Sequence, residues 1–129
     1  MKIHHIGIIV NSIEKDVELY KKLGYSANEE IVNDEIQYNN ILFLQRGNEK
    51  IELIEPMDSR SSIYYMPKGY AHICYEVEDL DAFLDDFREK RIGVIFTDKL
   101  EAPAIDNRKV VFAYLKNKTI VEFVETELN

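Results

Sequence analysis

The sequence predicts an α+β fold made of two tandem β-α-β-β-β modules, and an internal repeat carries this prediction. Residues 4–14 read HHIGIIVNSIE and residues 71–81 read AHICYEVEDLD, which aligns His5 with His72. Residues 41–55 (ILFLQRGNEKIELIE) and 110–125 (VVFAYLKNKTIVEFVE) form a second pair, which aligns Glu52 with Glu122. The His offset (5 to 72) and the Glu offset (52 to 122) differ by only three residues. The halves are therefore expected to be copies of one supersecondary unit that face each other.

The first module, about residues 1–56, is expected to run strand, helix and three strands. Residues 2–10 are mostly apolar and β-branched, as in a buried strand, and Asn11-Ser12 then supplies a helix cap with Glu14 in capping-box register. The helix is expected to end at Gly24. Its apolar face has helical spacing and consists of Ile13, Val17, Tyr20 and Leu23. A strand over 25–32, a polar turn over 33–40 and a hairpin of strands 41–45 and 50–55 complete the module.

The second module, about residues 70–129, is expected to follow a linker over 57–69 that contains an apolar plug at 63–66. A strand over 70–77 leads to a helix that Asp79 caps and Gly93 closes. The apolar face of this helix consists of Leu80, Phe83, Leu84 and Phe87. A short strand over 94–97, a charged loop over 98–108 and a hairpin of strands 109–115 and 118–125 follow. At 129 residues, the two modules are expected to make one domain, 1–129.

Composition narrows the classes of partner. The net charge of −8 disfavours nucleic acid and anionic membranes, since both need clustered Lys and Arg. The apolar run within MKIHHIGIIV is shorter than a signal peptide or a membrane-spanning helix requires. Cys74 is the single cysteine, so no internal disulfide is possible. A cytoplasmic, reducing location is therefore expected, with a small molecule as partner.

The repeat places metal-ligand chemistry at equivalent positions of the two halves. His5 and His72 lie near the starts of equivalent strands, and Glu52 and Glu122 lie in apolar runs of equivalent late strands. A carboxylate in a core strand is costly unless it is paired or bound to a metal. Two His and two Glu suit a divalent metal with positions left for substrate. The alternative is that both Glu point outward from half-exposed strands, while hydrogen bonds satisfy the two His.

Two neighbouring residues need separate interpretation. His4 competes with His5, but adjacent strand residues face opposite sides, so His4 is expected on the outer face. Cys74 lies two residues after His72 and shares its face, where a buried, unreactive cysteine is the favoured interpretation.

The motifs HHIGIIV, IELIEP, GYAHICYEV and TIVEFVE resemble the vicinal oxygen chelate superfamily, which includes glyoxalase I, epimerases, extradiol dioxygenases and the bleomycin and fosfomycin resistance proteins. The resemblance implies that the paired modules curl into a cupped, mixed sheet of the glyoxalase-like fold. It also implies a homodimer and one divalent ion per site, which is cobalt, nickel, zinc, manganese or magnesium. The implied ligands are His5, Glu52, His72 and Glu122.

The resemblance also implies metal-assisted proton transfer next to the carbonyl of a small carbonyl compound or thioester. Glu122 is the first candidate for the base and Glu52 the second. The motifs are most similar to those of the methylmalonyl-CoA epimerases, with glyoxalase I (lactoylglutathione lyase) as the alternative. A bleomycin-resistance-type binding protein and a fosfomycin-type thiol transferase also remain open. An iron dioxygenase uses two His and one carboxylate, which would leave Glu52 without a role.

Overall fold

A computed structural model describes residues 1–127, which form nine strands and two α-helices. The strands are β1 (Lys2–Ile9), β2 (Val32–Asp34), β3 (Asn39–Arg46), β4 (Glu49–Pro56), β5 (Gly69–Val77), β6 (Gly93–Ile95), β7 (Leu100–Ala102), β8 (Arg108–Leu115) and β9 (Ile120–Glu125). The helices are α1 (Ile13–Lys22) and α2 (Leu80–Glu89), and a short 3-10 helix covers Pro103–Ile105. None of the helices in this part of the chain has the length and apolar character needed to cross a membrane.

All nine strands belong to one curved, mixed sheet in the order β2-β3-β4-β1-β5-β9-β8-β6, with β7 paired to β8. The first strands of the two modules, β1 and β5, pair antiparallel at the middle of the sheet. Each also pairs in parallel with the last strand of its own module, β1 with β4 and β5 with β9. The predicted α+β fold of two β-α-β-β-β modules is therefore confirmed, and β7 is one strand more than the pattern predicted.

A side-chain N-cap marks the start of each of the two α-helices. The Ser12 side chain accepts a hydrogen bond from the Lys15 N–H, so Ser12 is the N-cap and the capping-box register with Glu14 is wrong by one residue. Gly24 follows α1 with φ +98°, as a residue that ends a helix can. Asp79 caps α2 as predicted, and its carboxylate accepts from the Ala82 N–H.

Gly93 does not close α2, contrary to prediction. The helix ends at Glu89, and Gly93 is already the first residue of β6. There Gly93 pairs with Leu115, and a Cβ at this position would collide with the Tyr114 carbonyl oxygen. This glycine is therefore required by close strand packing and not by the helix end.

The predicted strand over residues 25–32 is also wrong. Only Ser26 makes an isolated bridge there, to Gln45, and the strand β2 begins at Val32 and extends into the predicted turn. Residues 27–31 are exposed, so no alternating apolar face exists to hold a strand against the core. The turn that follows β2 depends on Asp34, whose buried carboxylate accepts from the Ile36 and Gln37 N–H groups.

Both helices pack on the outer side of the sheet. Ile13 of α1 joins a buried cluster with Leu42 and Leu53 of the first module. Phe87 of α2 joins the equivalent cluster of the second module, with Phe123. Leu53 of β4 and Phe123 of β9 therefore face the helices. Their strand neighbours Glu52 and Glu122 point the opposite way, to the concave side of the sheet.

Candidate metal centre

The four candidate ligands lie on four adjacent strands at the centre of the sheet. Their order across β4, β1, β5 and β9 is Glu52, His5, His72 and Glu122. All four side chains are buried, and one ligand atom from each lies within 4.8 Å of the others. Each module contributes one His and one Glu, and a single chain supplies the whole set.

The ring nitrogens and carboxylates converge on one point. Nε2 of His5 lies 3.1 Å from Oε1 of Glu122, and Nε2 of His72 lies 3.0 Å from the same oxygen. Oε1 of Glu52 lies farther away, at 3.4 Å from Nε2 of His5 and 3.6 Å from Nε2 of His72. Since both carboxylates are buried, the alternative in which they point to solvent does not describe this structure.

This donor set fits a divalent metal. The two Nε2 atoms lie 3.3 Å apart and face the same carboxylate oxygens. Two imidazole nitrogens and two carboxylate oxygens form a set that zinc, cobalt, nickel or manganese accepts. Because all four groups are withdrawn from water, a bound cation would meet concentrated negative charge in a site of low dielectric constant.

Interactions between the His and Glu side chains shift the pKa values of both kinds of group. Burial alone would lower the pKa of His5, but the Glu52 and Glu122 carboxylates outweigh it and raise this pKa to about 9. Burial would likewise raise the pKa of Glu122, yet its hydrogen bonds with His5 and His72 hold this pKa well below the usual range. In the metal-free protein, the cluster thus favours a charged imidazole beside a charged carboxylate.

A glycine makes room for His72. Gly7 is the cross-strand partner of His72 in the β1–β5 pairing, and a Cβ on Gly7 would lie 2.6 Å from Nδ1 of His72. The imidazole ring therefore lies directly over the Gly7 backbone. The equivalent partner of His5 is Cys74, so the two modules differ in what lies beside each His.

His4 does not lie on the outer face, contrary to prediction. Its Nδ1 lies 2.7 Å from Nδ1 of His5, and its ring meets the His5 ring edge-on with centroids 5.0 Å apart. The pairing of β1 with β5 shifts register between Ile3 and His5, and this irregularity breaks the strict alternation on which the prediction depended. Burial, followed by the positive charge of His5, lowers the pKa of His4 to about 3.

Cys74 is fully buried, as predicted. Burial and the negative charges of Glu122 and Glu52 raise the pKa of its thiol. A thiol with a raised pKa stays protonated and is a poor nucleophile.

The cluster lies in the wall of a cavity of about 330 Å³, and most of the cavity wall is apolar. Both modules and the linker contribute to the wall, among them Ile41, Ile54, Phe96, Ile105 and Phe112. Ile63 and Met66, in the predicted plug, line the cavity as well. This is the size and character of a small-molecule site, in which a few polar groups orient an otherwise apolar ligand.

A family profile described as the Glyoxalase/Bleomycin resistance protein/Dioxygenase superfamily matches residues 4–112. The chain belongs to this superfamily. The conclusion agrees with the resemblance inferred from the four sequence motifs.

Two curated relatives are epimerases by name. The mitochondrial methylmalonyl-CoA epimerase of Bos taurus is 30% identical over 100 residues, which cover 73% of this chain and 57% of the relative. The chain therefore spans little more than half the length of that relative. An ethylmalonyl-CoA/methylmalonyl-CoA epimerase of Cereibacter sphaeroides is 32% identical over 101 residues, covering 73% of this chain and 74% of the relative.

Solved structures share the fold. The methylmalonyl-CoA epimerase of Mycobacterium tuberculosis superimposes with a TM-score of 0.84 at 21% identity, covering 98% of this chain and 89% of that chain. A variant of the Streptomyces coelicolor methylmalonyl-CoA epimerase in complex with 2-nitronate-propionyl-CoA gives a TM-score of 0.82 at 21% identity, covering 99% of each chain. The cupped sheet is therefore the glyoxalase-like fold predicted from the sequence.

This member of the superfamily also has pocket residues that sequence reasoning missed. Asp34 and Asn39 line the cavity and are buried. Ser61 of the linker donates a buried hydrogen bond of 2.6 Å to Oδ1 of Asn39 and so ties the linker to the first residue of β3. The hydrogen bond between Ser61 and Asn39 has no local sequence signal, because it depends on how the linker folds back over the first module.

Proposed function

We propose that this protein is a divalent-metal-dependent epimerase that inverts the carbon next to the thioester carbonyl of a 2-alkylmalonyl-CoA, such as methylmalonyl-CoA. The observation that carries the proposal is the buried Glu–His–His–Glu row in the wall of an apolar cavity. The names of the curated relatives support this substrate class.

In this proposal His5, Glu52, His72 and Glu122 hold the metal. When bound, the metal supplies a Lewis acid for the substrate's carbonyl oxygen, and this makes the neighbouring C–H more acidic. Such assistance is needed because a carboxylate with an ordinary pKa near 4.3 is a weak base for a carbon acid.

The two carboxylates would move the proton. Glu122 lies on β9 and Glu52 on β4, so they flank the two His strands from opposite sides. Inversion requires that one group removes the proton from one face of the carbon and that another delivers a proton to the opposite face. We assign Glu122 to removal from one epimer and Glu52 to delivery, with the roles exchanged for the other epimer.

The rest of the cavity would hold the substrate and exclude water. The apolar wall suits the alkyl branch, and a dry site strengthens the electrostatic interactions of the four ligands. Arg60 is the single Lys or Arg among the described residues that line the cavity, and its guanidinium is paired with Asp58 at 2.7 Å. We assign Arg60 to an anionic group of the substrate near the cavity entrance.

The direct test uses protein loaded with cobalt, zinc or manganese and a single epimer of methylmalonyl-CoA in deuterium oxide. We expect the other epimer to form, with deuterium at the inverted carbon, as followed by proton NMR and mass spectrometry. The matched control is the double variant Glu52→Gln/Glu122→Gln, which keeps the size of both side chains. Exchange no faster in the wild type than in this control would end the proposal. Turnover of the hemithioacetal of methylglyoxal and glutathione instead would move the assignment to glyoxalase I.

A further inference from the structure

We propose that His4 is a positioning residue for His5: Nδ1 of His4 accepts the Nδ1–H of His5 and thereby presents the Nε2 lone pair of His5 to the metal. The inference rests on the proposed role of His5 as a ligand. It adds a residue that neither the repeat nor the family match assigns.

The two nitrogens of His5 have different partners. Nε2 faces Glu122 at 3.1 Å, whereas Nδ1 faces Nδ1 of His4 at 2.7 Å. A distance of 2.7 Å between two ring nitrogens is a hydrogen-bond distance, so one of the two Nδ1 atoms carries a hydrogen and the other accepts it.

In neutral His5, the form that binds a metal, the direction of this hydrogen bond decides which ring nitrogen has the lone pair. A neutral imidazole has one N–H and one lone pair. If His4 donated, the lone pair of His5 would lie at Nδ1 and its proton at Nε2, facing the cluster. If His5 donates, its Nε2 is free to ligate. Ligating histidines generally donate their second N–H to an acceptor in this manner, and the acceptor fixes both tautomer and ring orientation.

Packing holds both rings in this arrangement. Phe43 meets the His5 ring edge-on with centroids 5.1 Å apart, and the His4 ring with centroids 6.2 Å apart. His4 also lines a second, mainly polar cavity of about 160 Å³.

The second module has no equivalent of this contact. The residue aligned with His4 is Ala71, whose methyl group cannot accept a hydrogen bond. The position of the His72 ring is instead set by its close packing over the backbone of Gly7. The duplicated histidines are thus oriented by two different means, and substitution of His4 should affect His5 alone.

The first measurement is made on metal-free protein labelled with nitrogen-15 in its three histidines. We expect a scalar coupling across the hydrogen bond between Nδ1 of His5 and Nδ1 of His4, with the second proton of His4 on Nε2. Absence of this coupling in the wild type would overturn the proposal, whatever the protein's activity.

The second measurement compares two variants in cobalt binding. His4→Phe keeps the ring and removes the acceptor, and we expect a loss of cobalt affinity of about 10- to 100-fold and an altered visible spectrum of the bound cobalt. His4→Asn places an amide oxygen near the original Nδ1, and we expect affinity within a few-fold of the wild type. Thermal unfolding checks that both variants fold.

Two results would contradict the positioning role. One is His4→Phe with wild-type cobalt affinity and spectrum, and the other is His4→Asn with as large a loss as His4→Phe. Failure of the wild type to bind any divalent metal would end the proposed function instead, while the nitrogen coupling would still report on the His4–His5 bond. The two failures are therefore distinguishable.

Discussion

Gly7 and His72 face each other across β1 and β5 so closely that Gly7 leaves no room for a side chain. A Cβ on Gly7 would lie 2.6 Å from Nδ1 and 2.9 Å from Nε2 of His72. The position of one candidate ligand therefore depends on the absence of a methyl group in the other module.

Gly7→Ala should displace the His72 ring. We expect metal affinity to fall at least tenfold and the free energy of unfolding to fall by about 1–3 kcal/mol, because overpacking a buried site forces side chains from their rotamers. Metal titration and urea unfolding measure the two effects. In a His72→Ala background the clash is absent, so Gly7→Ala should cost little there, and an equal cost in both backgrounds would contradict the steric argument.

His72→Ala should remove most of the metal. The variant loses one of four converging donors, so we expect elemental analysis to show occupancy well below one ion per chain after dialysis against a weak chelator. Tyr70→Ala is the matched control, since Tyr70 is an exposed residue of the same strand. Full occupancy in His72→Ala would show that His72 is not a ligand.

Substitution of each carboxylate should impair exchange from a different epimer of the substrate. If each serves one face of the carbon, Glu122→Gln loses deuterium incorporation from one epimer of methylmalonyl-CoA and keeps it from the other. Glu52→Gln should show the opposite preference. Proton NMR of each pure epimer in deuterium oxide measures this. Equal loss from both epimers in one variant, with no loss in the other, would indicate a single base.

The stability of the metal-free protein should fall as the pH rises from about 6.5 to 9. The pKa of His5 is raised in the folded protein to about 9, from 6.5. Its contribution to stability is therefore complete below pH 6.5 and is lost as the pH passes through 9. We expect the free energy of unfolding to decrease by roughly 3 kcal/mol over this window. The pKa of His4 in the folded protein is lowered to about 3, so folded His4 stays neutral throughout this window.

Urea unfolding in the presence of a chelator, at several pH values, measures this dependence. The His5→Gln variant lacks the titrating group and should show a much flatter profile. A wild-type profile as flat as that of the variant would mean that the two carboxylates do not stabilise a charged His5.

Ser61→Ala should loosen the linker over the cavity. The Ser61 hydroxyl donates a buried bond of 2.6 Å to Asn39, and its loss leaves Oδ1 of Asn39 without that partner. Removing one partner of a buried hydrogen bond costs about 1–3 kcal/mol. Ser59→Ala is the control, since Ser59 is exposed in the same segment. Equal stability of the two variants in urea unfolding would show that the bond does not hold the linker.

Much of the fold was predictable because the repeat marks the same strand and helix order twice. The convergence of Glu52 and Glu122 was predictable for the same reason, since a carboxylate in an apolar run is conspicuous when it recurs at an equivalent position. The metal role of these residues, the homodimer and the cytoplasmic location remain predictions.

Other features depend on contacts that are distant in sequence. The position of His4 follows from a register shift in β1, and no local pattern of residues signals that shift. Gly93 appeared to be a helix terminator because its true constraint, the backbone of β8, lies more than twenty residues away. Residues 27–31 are exposed and pack against no partner strand, so local composition overestimated the strand character of residues 25–32.

The pairing of β1 with β5 also has a consequence for how the halves of this protein can diverge. The four donors are alike in the two modules, while their neighbours differ: His4 aligns with Ala71, and Gly7 with Cys74. The candidate metal ligands are therefore the same in the two modules, whereas the residues that position them differ. An enzyme that interconverts two epimers meets each of them with a different half of this centre. Its kcat and KM can therefore differ between the two directions, although their ratio stays the same in both when the epimers are equally stable.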